Sequence, residues 1–399
     1  TTMARAFVVF AQNTTPAKFW TRTGTDRARS FRDWCSPDDG LRQTATGIVD
    51  GAQDDDGKLR RLVEWCRREI RLVRSSDPDS LRASHVHDNG NARGMLRQRA
   101  GTPFELDMLF GALAGAAGFE TRFLHVPRRG DLQFDQEMMD LRFLKSWEIA
   151  VHTQNGWRFF DPQDPWLPWD MVPRDEEGEP GLLCDRDSTM FQVIPVAPPE
   201  KSVRTSVGHW NSVAREALDD AADTLETFQN VMDWDDAWID THELRFESGG
   251  DPHEPLLARM KVRMAGHALQ AGHRMTLEPS AWWAHRAPEF GSSQRTWPVA
   301  FDFAGTERDT IRIRLPEGWA VEALESPHPI HAQGVGGYRI TTRELDGGRT
   351  LECTREFEIG RDGALWFAAE NYPELKRLFD MVLDRDRSAV VLNHPEPAR

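Results

Sequence analysis

The stretch GTPFELDMLFGALAGAAGF, residues 101–119, predicts a buried helix whose two ends are both marked in the sequence. Thr102, Pro103 and Glu105 have the spacing of an N-cap, a first helical residue and a capping-box acid. Gly118 is the residue type that most often ends a helix in the left-handed conformation. Between these ends, large apolar side chains recur at helical spacing, and small residues allow neighbouring elements to pack closely. We therefore expect the chain to build a core around this helix.

The segments around this helix predict a domain of mixed helices and strands. Apolar residues at helical spacing indicate an earlier helix over 54–73, and alternating residues indicate a strand over 120–126. Residues 146–162 are typical of a β-hairpin, because the Asn155-Gly156 pair suits its tight turn. A loop rich in proline and tryptophan follows. This first part of the chain is therefore expected to pack helices against a sheet.

The second half of the chain predicts a mainly β domain. The proline-rich segment 193–202 is typical of a domain boundary, and a helix is predicted over 211–232. Short alternating strands separated by turn residues then follow at regular spacing, as in a β-sandwich. One late helix over 372–386 and a closing strand complete the pattern.

Composition and charge exclude several classes of function. The formal charge of −15 argues against nucleic acid, because phosphate contacts need a basic surface. We also expect no membrane span, since no apolar run is long enough. Four scattered cysteines predict buried thiols, and the histidines of residues 85–87 give only weak evidence for a metal. We therefore predict no metal and no cofactor.

The order of these parts resembles the bacterial transglutaminase-like proteins of the papain-like cysteine-enzyme superfamily. The resemblance rests on the glycine-preceded helix, its LAGAAGF end, a strand, and a hairpin that closes in FFDP. The later RTWPVAFDF and NYPELKRLFDMVL resemble the β domain of a group of bacterial envelope proteins. The resemblance implies an α+β protein: residues 1–34 trailing from a preceding β domain, a transglutaminase-like core over 35–198, and a β-sandwich-like domain with a C-terminal helix over 199–399. It also implies a periplasmic or extracellular location.

The resemblance breaks at the residues that would carry the chemistry. Enzymes of this superfamily place a cysteine at the helix start, a histidine on the next long strand and an aspartate after the hairpin. The corresponding positions here are Pro103, Trp147 and Asp161. Proline also lacks the backbone N–H that would help to stabilise an oxyanion. The resemblance therefore implies a pseudoenzyme that lacks the Cys–His pair, and we expect the indole N–H of Trp147 to find its acceptor in Asp161.

Carboxylates offer an alternative chemistry in the same cleft. Glu105, Glu148 and Asp161 could serve a hydrolase or a transferase, as paired acids do in glycosidases. Each also has a structural interpretation. Glu105 fits the capping box, Glu148 fits a polar side chain on the less apolar face of its strand, and Asp161 fits a turn before proline. Both interpretations stay open at this point.

Ligand binding without catalysis is the interpretation that we favour. Trp147, Trp157, Trp166 and Trp169 lie on the hairpin and the loop after it, near Asp161. Aromatic faces in a cleft can stack on a sugar or hold an extended peptide. The alternative is that these indoles only fill space and hold the loop in place. We therefore predict a peptide- or glycan-binding or scaffolding module, with a protein partner as a further possibility.

Overall fold

The computed structural model of the chain separates into two compact units, residues 1–195 and residues 196–399. The structure describes residues 14–73, 89–130, 134–198, 226–227, 239–246, 257–264, 267–284, 286–324 and 327–394. Within these ranges, no helix is both long enough and apolar enough to cross a membrane.

The helices of the first unit surround one central helix. They are α1 (Pro16–Trp34), α2 (Asp39–Val49), α3 (Asp55–Glu69), α4 (Ala92–Gln98) and α5 (Pro103–Ala116). Helix α5 is buried on nearly all sides from Glu105 to Ala114, as an apolar helix must be. Its start and end are those predicted: Thr102 and Glu105 form a capping box, and Gly118 follows with a φ of 101°.

The strands of the first unit form a short parallel pair and one five-stranded sheet. The pair is β1 (Arg71–Leu72) and β2 (Ala100–Gly101). The sheet has the antiparallel order β5-β4-β3-β6-β7, built from β3 (Glu120–Pro127), β4 (Leu144–Thr153), β5 (Gly156–Phe160), β6 (Pro180–Leu183) and β7 (Met190–Val193). One face packs on the helices, and the other face carries a second, smaller apolar cluster.

Helix α1 corrects the prediction for the start of the chain. Residues 1–34 were expected to trail from a preceding β domain, but residues 16–34 form a helix that packs into the core of the first unit. Trp20, Ala28 and Phe31 lie on its buried side. The strand expected over residues 5–12 lies outside the described residues.

The second unit is built mainly from antiparallel strands. The strands are β8 (Ile239–Phe246), β9 (Ala258–Met264), β10 (Ala268–Ala271), β11 (Arg274–Leu277), β12 (Val299–Ala300), β13 (Gly305–Arg314), β14 (Ala320–Ala323), β15 (Ile330–Ala332), β16 (Gly336–Leu345), β17 (Thr350–Ile359), β18 (Trp366–Phe367) and β19 (Val390–Asn393). Two four-stranded sheets have the orders β13-β17-β16-β15 and β10-β11-β19-β14. Two further pairs are β8 with β9 and β12 with β18.

The two larger sheets meet in one apolar cluster that includes Leu277, Leu351 and Leu392. Helix α6 (Ala281–Ala284) is short, whereas helix α7 (Tyr372–Asp386) packs Leu378 and Val382 onto the first of these sheets. The late helix was thus predicted at its observed position. The helix predicted over 211–232 lies outside the described residues, apart from 226–227, and the boundary after residue 198 stays a prediction.

Candidate functional site

The N-terminus of α5 holds Pro103 where the resemblance places a nucleophile. Thr102 Oγ1 accepts a hydrogen bond from the Glu105 amide at 3.3 Å, and the Thr102 amide donates to Glu105 Oε2 at 2.8 Å. Asn89 occupies the other oxygen of Glu105 with its amide N–H at 3.1 Å and its side-chain N–H at 2.9 Å. Both oxygens of Glu105 therefore serve the helix start and the preceding loop.

Trp147 lies on β4 and faces α5, at the position that the resemblance gives to the base. Its Nε1 donates to Oδ2 of Asp107 at 2.9 Å, and Gln163 Nε2 donates to the same oxygen at 3.0 Å. The expectation that Asp161 accepts this N–H was wrong. Asp107 lies one helical turn after Pro103 and directly inside the core, so its carboxylate reaches the half-buried indole first.

Sequence reasoning missed Asp107 altogether, although one signal was present. It is an acid inside an otherwise apolar helix, between Leu106 and Met108. Such a side chain needs polar partners when it is buried. Burial raises the pKa of Asp107 well above its usual value, and the charge of Asp161 raises it further.

Aromatic side chains cover the start of α5. Phe104 is 36% exposed and meets Trp147 edge-on, with 5.1 Å between ring centroids. Phe123 lies on the other side of Phe104, at 6.1 Å. His125 is the cross-strand neighbour of Trp147, and burial lowers its pKa to about 4. We call Phe104, Phe123, His125 and Trp147 the aromatic patch; its imidazole is neutral at physiological pH.

Asp161 is buried at the end of the hairpin. Its pKa is raised to about 8, first by burial and then by the charge of Glu176, whereas Arg67 acts in the opposite direction. Arg67 also fixes the backbone after the hairpin, because it donates to the carbonyls of Asp161, Pro162 and Leu167 at 3.2, 3.1 and 2.8 Å. The expected turn role of Asp161 is visible in its acceptance of the Gln163 amide at 3.2 Å.

Glu148 corrects a second expectation. We expected a polar environment on its side of β4, but the smaller apolar cluster covers that face with Val172, Leu183 and Ile194. Neither oxygen of Glu148 has a hydrogen-bond donor within the described residues. Burial raises its pKa well above the usual value, and the nearby Glu176 raises it further. A protonated Glu148 can donate to Glu176, so that the pair shares one proton.

The four tryptophans predicted to bind a ligand do not form one surface. Trp147 belongs to the aromatic patch, whereas Trp169 stacks on Phe160 at 6.3 Å on the helix-facing side of the hairpin. Trp157 packs on the opposite face of the sheet, against His152 at 4.9 Å. Trp166 belongs to the loop after the hairpin, where its amide N–H donates to Asp164 at 2.8 Å. Only Trp147 among them lies beside Pro103.

Comparisons with known proteins identify the first unit. Residues 42–162 match the model of the transglutaminase-like superfamily. The predicted transglutaminase-like core is thereby confirmed. Residues 273–392 match a second model, described as a domain of unknown function with solved structure, DUF3858. No curated protein matches the chain.

A solved structure supports the same fold. It is a "putative protease" from Parabacteroides distasonis ATCC 8503, with a TM-score of 0.50 and 13% sequence identity. The match covers 93% of this chain and 58% of that chain, so this chain spans just over half of the other protein's length. At this identity the likeness shows the fold alone, a transglutaminase-like core followed by a β region, as predicted.

The transglutaminase-like core contains no cysteine suited to thiol chemistry within the residues that the structure describes. Burial raises the pKa of all three of its thiols, to about 12 for Cys184, and Cys35 and Cys66 are buried as well. A reactive thiol needs the opposite environment, in which the thiolate is stabilised and exposed. Across the described ranges, no group of three or more His, Cys, Asp or Glu side chains is arranged to hold a metal ion.

The carboxylates of the transglutaminase-like core are also poorly placed for hydrolysis. Glu105 is used by the helix cap, and Glu148 lies on the face of the sheet away from α5 with no exposed surface. Acid–base catalysis requires a carboxyl group within reach of the substrate. At the start of α5, the accessible members of the aromatic patch are Phe104 and the half-buried Trp147, since Phe123 and His125 are buried. The arrangement therefore favours contact with a ligand.

Proposed function

We propose that the transglutaminase-like core binds a peptide and carries out no thiol-dependent acyl transfer. The hydrogen bond between Trp147 and Asp107 carries this proposal, because it holds an indole where the base of a thiol enzyme would lie. Pro103 adds to it, since this residue supplies neither a nucleophile nor a backbone N–H.

An extended peptide is favoured over a glycan by the polar groups at the patch. Sugar recognition combines aromatic faces with polar groups that receive hydroxyl groups. Here Asp107 already accepts from Trp147 and Gln163, and Glu105 is occupied by the capping box and Asn89. The partly exposed ring of Phe104 and the half-buried indole instead offer an apolar surface to a peptide side chain.

The site is proposed to work as a binding or scaffolding module in the bacterial cell envelope. This location rests on the resemblance of the second unit to envelope proteins. Fractionation of cells that express the full-length protein tests it. Recovery from the cytosol alone would contradict the envelope location and leave the binding proposal standing.

Peptide binding is tested by probing the full chain with a pooled hexapeptide library and comparing two alanine variants. Phe104→Ala removes the exposed ring of the patch, and Met190→Ala removes a 51% exposed side chain on β7 as the matched control. Loss of an aromatic contact at the centre of an interface costs about 1–2 kcal/mol, or roughly five- to thirtyfold in Kd. Equal binding by both variants would show that the patch is not the site.

Absence of thiol chemistry is tested by amine incorporation and peptide hydrolysis before and after iodoacetamide treatment. We expect no activity in either sample, because the thiols of the core are buried and have raised pKa values. Activity that disappears on alkylation would mean that a cysteine becomes accessible and would overturn this half of the proposal.

A further inference from the structure

The second unit contains a cavity lined by its own residues. It is open to solvent, has a volume of about 450 Å³, and lies between the face of β13 and β17 and helix α7. Residues 286, 287, 289 and 300–303 contribute to its lining. This volume falls in the range of roughly 300–1,000 Å³ that is usual for ligand sites.

The floor of the cavity is a compensated polar network. Arg355 is buried, and its Nε and Nη2 donate to the two oxygens of Asp386 at 2.7 and 3.1 Å. Its Nη1 donates to Glu307 at 3.1 Å, and Tyr338 donates its hydroxyl to Asp386 at 2.7 Å. Each nitrogen of the guanidinium group therefore has a carboxylate partner, so Arg355 is poorly suited to bind an anion.

The walls of the cavity are aromatic, and one of the rings already packs against arginine side chains of the same unit. Trp283 lies against two guanidinium groups, with Arg355 at 4.0 Å and Arg286 at 4.5 Å from the ring centroid. Phe379 stacks on Phe301 at an interplanar angle of 8° and meets Phe357 edge-on. Aromatic faces attract cations electrostatically, most strongly where water is excluded.

The charges of the lining favour a positively charged ligand. Four acidic residues line the cavity against two arginines, an excess of two negative charges: Glu289, Asp302, Glu307 and Asp386 against Arg286 and Arg355. The whole chain is also acidic, with a formal charge of −15, which attracts cationic partners over a distance. A ligand with a cationic group on an apolar stem fits both the charges and the rings.

Exposed indoles beside the cavity indicate that the ligand extends beyond it. Ala300 lines the cavity and is paired across β12 and β18 with Trp366, whose side chain is 50% exposed. Trp297 lies three residues before Ala300 and is 60% exposed. Large exposed aromatic side chains are typical of surfaces that bind other proteins.

We infer that this cavity binds a lysine or arginine side chain of a peptide or protein partner, with flanking residues of that partner on Trp366 and Trp297. The alkyl stem would pack on Phe301 and Phe357, and the cationic head would lie at the acidic part of the lining formed by Glu289 and Asp302. This site is separate from the aromatic patch and does not depend on the function proposed for it.

The test uses the full chain and four pooled hexapeptide libraries that differ only at one central residue: lysine, arginine, norleucine or glutamate. Retention of the lysine and arginine pools over the norleucine pool is the expected result, and it should weaken with added salt. The variant Glu289→Gln/Asp302→Asn should lower this retention by about five- to tenfold. Its matched control is Glu317→Gln/Glu344→Gln, which changes the charge equally on exposed residues outside the cavity lining.

Three outcomes would overturn the inference. Equal retention of all pools would remove the role of charge, and an equal effect of the two double variants would move the site elsewhere. Free butylamine that binds as tightly as the lysine pool would assign the cavity to small amines, with no part for the indoles. Phe104→Ala serves as a cross-check, since it should leave this binding unchanged even where it abolishes binding at the aromatic patch.

Discussion

The two units of the molecule bury charged groups in opposite ways. In the second unit, Arg355 shares its hydrogen bonds between Asp386 and Glu307, and burial, which lowers its pKa, is outweighed by these carboxylates. In the first unit, four acidic side chains lie buried near one another with few cations between them, and burial raises the pKa of each: Asp107, Glu148, Asp161 and Glu176. In the second unit, the charge of the buried arginine is balanced by its carboxylate partners, whereas the buried acids of the first unit outnumber the cations near them.

The difference shows what a raised pKa does and does not indicate. Raised carboxyl pKa values are common in active sites, where a catalytic acid needs them. In the transglutaminase-like core, however, Glu148 has no exposed surface and Asp161 is 6% exposed, so substrate cannot reach them. The four acids are better understood as a proton-sharing group in the interior of the first unit.

The largest expected effect tests the compensated network of the second unit. Arg355→Met leaves Asp386 buried with only its hydroxyl partners, which should lower the free energy of unfolding by about 3–5 kcal/mol. Arg308→Met breaks an exposed ion pair with Glu356 on the same sheet and should cost at most about 1 kcal/mol. Equilibrium unfolding in urea measures both. Similar losses for the two variants would show that the buried pair contributes no more than a surface pair.

The next effect tests Trp147, whose indole lies at the position that the resemblance gives to the base. Trp147→Ala removes a half-buried ring and one of the two donors to Asp107, and it should cost about 2–4 kcal/mol of unfolding free energy. Trp147→Phe keeps the ring contact with Phe104 but loses the N–H, so about 1–2 kcal/mol is expected. An unfolding midpoint that Trp147→Ala leaves unmoved would contradict the packing role of the indole.

Local features of the core were predictable because their partners lie close in sequence. The capping box joins Thr102 to Glu105, three residues away, and depends on residue types at a fixed offset. The hairpin was predicted as well, but its tight turn lies one residue earlier than the Asn155-Gly156 pair suggests: Thr153 pairs with Gly156, so the central turn residues are Gln154 and Asn155, and Gly156 follows with a φ of 100°. The chain order of helix, strand and hairpin was also enough to recognise the transglutaminase-like core.

The polar partners inside the core were not predictable, because they are set by tertiary packing. Trp147 and Asp107 are 40 residues apart, and nothing in the spacing of either residue points to the other. Glu176 lies in an acidic, glycine-containing stretch typical of a surface loop, yet it is buried beside Glu148. Glu148 is buried because that loop packs over its face of the sheet. The alternation of residues along β4 does not reveal where the loop packs.

A smaller effect is the pH dependence of stability that the four buried acids of the first unit should cause. The pKa of Asp161 is about 8 in the folded protein, against 3.8 for the unperturbed group. The unfolded chain therefore loses this proton first, and stability falls as pH rises from about 4 to about 8. Asp161→Asn imitates the protonated side chain. It should change little at pH 5 and raise the unfolding free energy by about 1–3 kcal/mol at pH 9, where the folded wild-type protein buries an ionised carboxylate.

Hydrogen exchange of the β4 amides measures how the stability of the first unit changes with pH. The β17 amides of the second unit serve as the internal control. Protection at β4 should fall between pH 5 and pH 9, after correction for intrinsic exchange, more than protection at β17. If the two strands respond alike, the pH dependence does not arise from the four acids.

The smallest effect tests whether the start of α5 has any role beyond structure. Thr102→Ala removes the side chain that caps the helix at the Glu105 amide, and it should cost about 0.5–2 kcal/mol of unfolding free energy. Thr102→Ser keeps the hydroxyl group and should recover nearly all of that loss.

Pro103→Cys is the companion variant, because it places a thiol at a helix N-terminus, where the helix dipole lowers the pKa of the thiol. This cysteine should therefore react with iodoacetamide faster than the four buried ones. Acyl transfer should still be absent, because Trp147 and not histidine faces the new thiol. Transfer activity in Pro103→Cys would mean that another group, such as His125, can act as the base, and it would contradict the proposal that Trp147 prevents acyl transfer.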